Sequence, residues 1–181
     1  MPRIFGCLAI GNLIVLAGTA ALGILPIFAT PDRHITLALF ALLLSCLIQV
    51  IVLTYFTVTG KMIGQAANLG NLDPAPIAEA RRLKRSATHL LGVLVATIVV
   101  VTTTGAQFRQ TGAGSALHFG AACLLMLVQV FVFYRQYGLI VENGAILDRT
   151  LLAYRKRRQE MAAKRTAAYN STIDARTAHE A

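Results

Sequence analysis

Four histidines, three cysteines and eight Asp or Glu are the residues of this 181-residue sequence whose chemistry could make a site. Cys7, Cys46 and Cys123 stand far apart, with no C-x-x-C pair and no histidine at metal-ligand spacing. Neither a metal site nor a redox pair is indicated, and small buried apolar positions are the expected role. His34 and His118 each open an apolar run. Two histidines on one side of a membrane are the arrangement of axial haem ligands, so haem b is the one cofactor the sequence admits; ordinary interfacial histidines are the commoner occurrence. His89 falls toward the opposite side, and His179 in the C-terminal segment. The carboxylates are dispersed outside the apolar runs, whereas acid–base catalysis needs ionisable groups that converge. No catalytic residue is assigned and an enzyme is not expected. The "TGK" at 59–61 lacks the glycine and spacer of a phosphate-binding loop.

What must position these residues is set by composition. The chain is 56% hydrophobic and 14% charged, against about 25% charged in soluble domains. Mean hydropathy is +0.62. The charges are partitioned, leaving four uncharged runs, each long enough for the ~20 residues that a ~30 Å hydrocarbon layer requires. They predict membrane spans at about 5–28, 35–58, 88–104 and 116–134. Pro26 and Pro31 close the first, which continues too far past its small residues to be a cleaved secretory signal. Tyr134 and Tyr137 suit an interfacial position at the end of the fourth.

Basic residues set the orientation. Arg3, the loop 59–87 (Lys61, Arg81, Arg82, Lys84, Arg85) and the segment from Arg135 onward hold all the Lys and Arg except Arg33 and Arg109. The positive-inside rule therefore places both termini in the cytoplasm, as expected of a bacterial inner-membrane protein. Lys61, Arg81, Arg82, Lys84 and Arg85, with Arg155, Lys156, Arg157 and Arg158, are expected to meet anionic headgroups. Nucleic acid is not an expected partner: neither stacking aromatics nor a recognisable module accompanies the charge.

"DPAP" at 73–76 reads as a helix start, with Asp73 as cap, and that helix is expected to run from near Ala75 directly into the third span. Asn143-Gly144 offers a stop or kink. Beyond it Leu147, Leu151, Tyr154 and Met161 form one stripe, with Arg149 and Lys156 opposite, predicting an amphipathic helix that lies on headgroups or packs on the helix of the 59–87 loop. The last residues lack periodicity and read as disordered.

The fold class expected is thus all-α: an integral membrane four-helix bundle over 1–142, N-in and C-in, an amphipathic basic cytoplasmic helix over 143–165, and a disordered tail over 166–181. No Asp, Glu, Lys or Arg falls within a span, which argues against ion-coupled carriers. The neutral residues Asn12, Gln49, Thr97 and Gln129, one per span, are expected at similar depth, about 7–14 Å inside the inner boundary at 1.5 Å per residue. Such a layer serves helix–helix hydrogen bonding or, less commonly, binds a headgroup, a quinone or a partner helix. Gly11, Gly18, Gly23, Gly92 and Ala96 suit close helix packing. The functional expectation is a non-catalytic subunit, scaffold or assembly factor of a membrane complex, partnered by lipid and by other membrane subunits or its own copies. A redox, quinone-associated or haem-binding subunit is the first alternative, and a small permease or channel the second.

Overall fold

The computed structural model describes residues 1–24, 31–111 and 115–180; of residues 24, 31, 106–111, 115 and 171–180 it describes the backbone alone. Pro26, the expected end of the first span at Phe28 and the Arg109 side chain lie outside what is described. The described residues form four α-helices and no strand: α1 (Pro2–Ile24), α2 (Pro31–Gly70), α3 (Ala75–Thr111) and α4 (Ser115–Glu180). All four are long and apolar enough to cross a membrane. Many large apolar side chains point outward, Leu43, Leu117 and Leu127 among them, as lipid-solvated helices require.

Pairings along the chain fix the topology. Asn12 meets Ser45 and Thr19 meets His34, so α1 and α2 are antiparallel. Arg82 meets Glu142 and Gly105 lies against His118, so α3 and α4 are antiparallel. α2 and α4 run parallel: Ser45 pairs with Gln129, Tyr55 with Ile140 and Thr59 with Asn143, at near-constant separations of 84, 85 and 84 residues. The helices alternate in direction, and both termini share one end with the α2–α3 turn. α2 and α4 touch each other and both remaining helices, whereas among the described residues α1 and α3 make no contact with one another. The core runs along this central pair, through Ile48, Val52, Phe56, Ile63, Ile140 and Ile146, with Phe5 of α1 edge-on to Phe133 at 5.8 Å.

The loop expected over 59–87 is a helical hairpin. α2 overshoots the membrane run and stops at a left-handed residue, Asn71, with φ of 48°. Leu72 N–H donates to the Ala67 carbonyl (2.9 Å) and Asn71 N–H to that of Asn68 (3.3 Å), which satisfies two otherwise orphaned carbonyls in a Schellman arrangement. Asp73 Oδ1 then accepts from Ala75 N–H (2.9 Å), capping α3 with Pro74 in the first turn. Ala80, Leu83 and Ala87 bury one face of the new helix.

α4 differs most from expectation. It does not stop or kink at Asn143-Gly144 but continues unbroken for 66 residues, about 99 Å at 1.5 Å per residue. Asn143 is buried and bonded to Thr59, and Gly144 lies close to the Tyr55 hydroxyl, so the site is packed helix interior, not a terminus. Leu147 packs on the core, and Tyr154 covers Gly70 at the hairpin tip. Of the two placements expected for this stripe, packing on the loop's helices is the one found; Met161, two turns on, is exposed. Residues 166–180, expected as a disordered tail, carry on as helix, since this alanine-rich stretch has no Gly or Pro to break it. The cysteines, expected to be buried, all lie on the outer surface of the bundle.

Asn71 provides a direct test of the turn. Asn71→Gly should leave thermal stability in detergent equal or slightly higher. Asn71→Val should lower it by about 1–2 kcal/mol, the cost of a left-handed β-branched residue.

Candidate functional site

Polar side chains at membrane depth gather along the α2–α4 contact. α4 supplies Gln129, Gln136, Asn143 and Thr150, seven residues apart and all buried. A seven-residue repeat keeps one face of a helix on a parallel neighbour, so these four residues line a single seam. α2 answers with Ser45, Gln49 and Thr59.

The seam has three rungs. In the first, Asn12 Nδ2 (2.9 Å) and Gln129 Nε2 (3.2 Å) both donate to Ser45 Oγ, which donates to the Ala41 carbonyl (2.9 Å). One hydroxyl thereby ties three helices. In the second, Gln49 and Gln136 exchange two amide hydrogen bonds, at 2.7 and 3.3 Å. In the third, Asn143 Nδ2 donates to Thr59 Oγ1 (2.6 Å), with Tyr55 reaching the Ile140 carbonyl (3.3 Å) beside it. The Asn12, Gln129 and Asn143 carbonyl oxygens are buried and accept no hydrogen bond from the protein.

The expected layer of Asn12, Gln49, Thr97 and Gln129 is therefore only partly assembled. Asn12 and Gln129 share a rung. Gln49 belongs to the next, beside a residue seven positions after Gln129, about 10 Å along the helix. Thr97 joins neither: its hydroxyl turns back to the Val93 carbonyl (2.8 Å), as those of Thr88 and Thr102 do to their own helix. Ser45, Gln136, Asn143, Thr59 and Thr150 were missed. The seven-residue spacing from Gln129 to Thr150 was the available signal, obscured because the fourth span reads as ending at 134 and Asn143-Gly144 as a helix end.

The seam residues described are neutral donors and acceptors, with no carboxylate or amine among them, so the seam can hold a helix register or a neutral polar molecule. Among the described residues no three His, Cys, Asp or Glu side chains gather as a metal site would need.

His34 and His118 do meet, at the opposite end from the hairpin. Their ring centroids are 6.3 Å apart and nearly perpendicular, at 84°. His34 Nδ1 lies 3.1 Å from the Thr19 carbonyl, to which it can only donate. Each imidazole rests on a glycine of a neighbouring helix, His34 on Gly23 and His118 on Gly105.

The basic residues divide between two places. Arg81, Lys84 and Arg85 join Thr88 and His89 in an open depression on α3. Arg155, Lys156, Arg157 and Arg158 begin the part of α4 beyond Tyr154, exposed throughout 155–170. Lys61 is exposed on α2, and Arg82 pairs with Glu142 at 3.5 Å. Compared with known protein families, curated proteins and solved structures, the chain matches none.

The Gln49–Gln136 rung should behave as a coupled pair. Either Gln49→Leu or Gln136→Leu leaves an amide buried without its partner and should cost about 1–3 kcal/mol. The double variant should cost less than the two single costs added together, which a double-mutant cycle of unfolding in detergent measures.

Proposed function

We propose that this chain is a non-catalytic inner-membrane protein, with both termini in the cytoplasm, whose rigid bundle carries a basic helix into the cytoplasm for a partner subunit of a membrane complex. One observation carries the proposal: among the described residues, α4 outruns the helices that pack on it. Tyr154 lies against Gly70, and from Arg155 to Asn170 every side chain is exposed on a helix rich in Lys and Arg. An unsupported helix of that length gains nothing for the bundle's own stability, since its stripe buries no area there. The polar seam supports the same reading. Its hydrogen bonds run between helices of one chain and hold α4 in register, as a mount for the projecting segment.

Two measurements test this. Reporters fused to the two ends should both read cytoplasmic; ends in different compartments would overturn the topology. In native membranes opened with mild detergent, the full chain should migrate in a larger assembly. A chain truncated after Tyr154 should leave that assembly and keep its thermal stability; a full chain that migrates alone would overturn the subunit role.

The histidine pair favours a second reading, a haem-binding subunit. Imidazole centroids about 6 Å apart are what one metal between two ring nitrogens requires, each nitrogen about 2.0–2.1 Å from it. A His34 Nδ1–H donating to a carbonyl is the orientation that metal-ligating histidines use. Protein made with haem supplied should then show a Soret band that His34→Ala and His118→Ala each abolish. No band in the unaltered protein removes this reading.

A further inference from the structure

The two basic clusters stand at different heights along the bundle, and only one lies beside the apolar run. The Arg82–Glu142 pair joins α3 to α4 and serves as a reference level. From Glu142, Arg155 lies about 20 Å and Arg158 about 24 Å further along α4, at 1.5 Å per residue. That is more than twice the ~8 Å over which salt at physiological strength screens a charge. Arg81, Lys84 and Arg85 lie within about 5 Å of the same level along α3, on the turns that enter the apolar run. Helical spacing carries this face onward from Thr88 and His89 to Gly92 and Ala96, both exposed.

A Cβ built at Gly92 would meet nothing within 4 Å, so the glycine leaves a shallow, open place on the exposed face of α3, directly beyond the basic cluster. A second copy seated here in parallel would set Arg81, Lys84 and Arg85 against their own equivalents. None of Arg81, Lys84 and Arg85 has a carboxylate bonded to it among the described residues, whereas Arg82, on the neighbouring face, takes Glu142 and Arg157 takes Glu160.

We propose that this face of α3 seats one anionic phospholipid. Arg81, Lys84 and Arg85 hold the phosphate, with His89 as a further donor, and an acyl chain lies in the shallow channel over Gly92 and Ala96. Arg155, Lys156, Arg157 and Arg158 take no part. The inference rests on the reading of α3 as a membrane span, and it replaces the expectation that all nine basic residues meet headgroups alike.

The test uses the full chain in neutral detergent, titrated with phosphatidylglycerol and followed by native mass spectrometry, with phosphatidylcholine as the neutral control. The variant Arg81→Gln/Lys84→Gln/Arg85→Gln should weaken phosphatidylglycerol retention at least tenfold. The variant Arg155→Gln/Arg157→Gln/Arg158→Gln, which removes the same charge, should change it less than twofold. Gly92→Leu, a substitution on the exposed face, should weaken retention severalfold while the basic residues stay in place. Equal losses from the two triple variants would overturn the seat in favour of general charge attraction. A dimer in the unaltered protein that Gly92→Leu abolishes, with lipid retention unchanged, would reassign the face to a second copy. A chain that stays soluble and monodisperse without detergent fails differently: it removes the membrane reading itself.

Discussion

A polar group inside an apolar bundle must find a partner or remain a liability, and that constraint organises this molecule. Where lipid surrounds a helix, no water repairs a lost hydrogen bond, and the cost of an unsatisfied group rises to several kcal/mol. Apolar side chains cannot specify a register in such surroundings, because hydrocarbon is equally good company at every position. The amides of Gln49, Gln136, Gln129 and Asn143 can, because sliding α4 by one residue separates all of them at once. Individually these bonds are modest, averaging about 0.6 kcal/mol. Their common effect is to make one alignment of α2 on α4 much better than its neighbours.

That alignment governs what lies outside the membrane run. Because α2 and α4 share a register through Asn143 and Thr59, the helices leave the apolar zone already paired, and the α2–α3 hairpin extends the bundle as a continuous three-helix stem. Arg135, the first charge after the fourth apolar run, is level with residues 48–51 of α2, well before the α2 run ends. The hydroxyl-rich stretch of α2 at Thr54, Tyr55, Thr57 and Thr59 stands one to two turns further on, level with Glu142 of α4 and its partner Arg82 of α3. Hydroxyls bonded to the preceding turn, as Thr57 and Thr59 are, suit that transition from hydrocarbon to headgroups.

Most of the architecture was legible from charge placement alone. Four uncharged runs give four helices, and Asp73 with Pro74 marks the start of α3 as observed. The continuation of α2 to Gly70 was hidden, because its polar residues beyond Lys61 read as loop; only their spacing on Ile63, Ala66 and Ala67 betrays a buried face. Asn143-Gly144 misled for a related reason. As a pair in isolation it has the chemistry of a helix end, and nothing local reveals that Thr59, 84 residues away, will claim the amide. The site was half legible: depth counting found Asn12, Gln49 and Gln129, but depth says nothing about direction. Thr97 has the right height and satisfies itself on its own backbone.

The parallel central pair also imposes an order on assembly. α1 and α2 adjoin in the chain, as do α2 and α3, so each can associate as soon as it emerges. The α2–α4 contact joins segments about 85 residues apart, with a full hairpin between them. Until the last helix arrives, Ser45, Gln49 and Thr59 have no interhelical partner from it and remain exposed to whatever surrounds the nascent bundle. A chain interrupted before its fourth helix therefore leaves the Gln49 amide without its partner and withdraws Gln129 and Asn143 from the Ser45 and Thr59 hydroxyls, so an unfinished molecule differs from a finished one by one unpaired amide and two under-used acceptors.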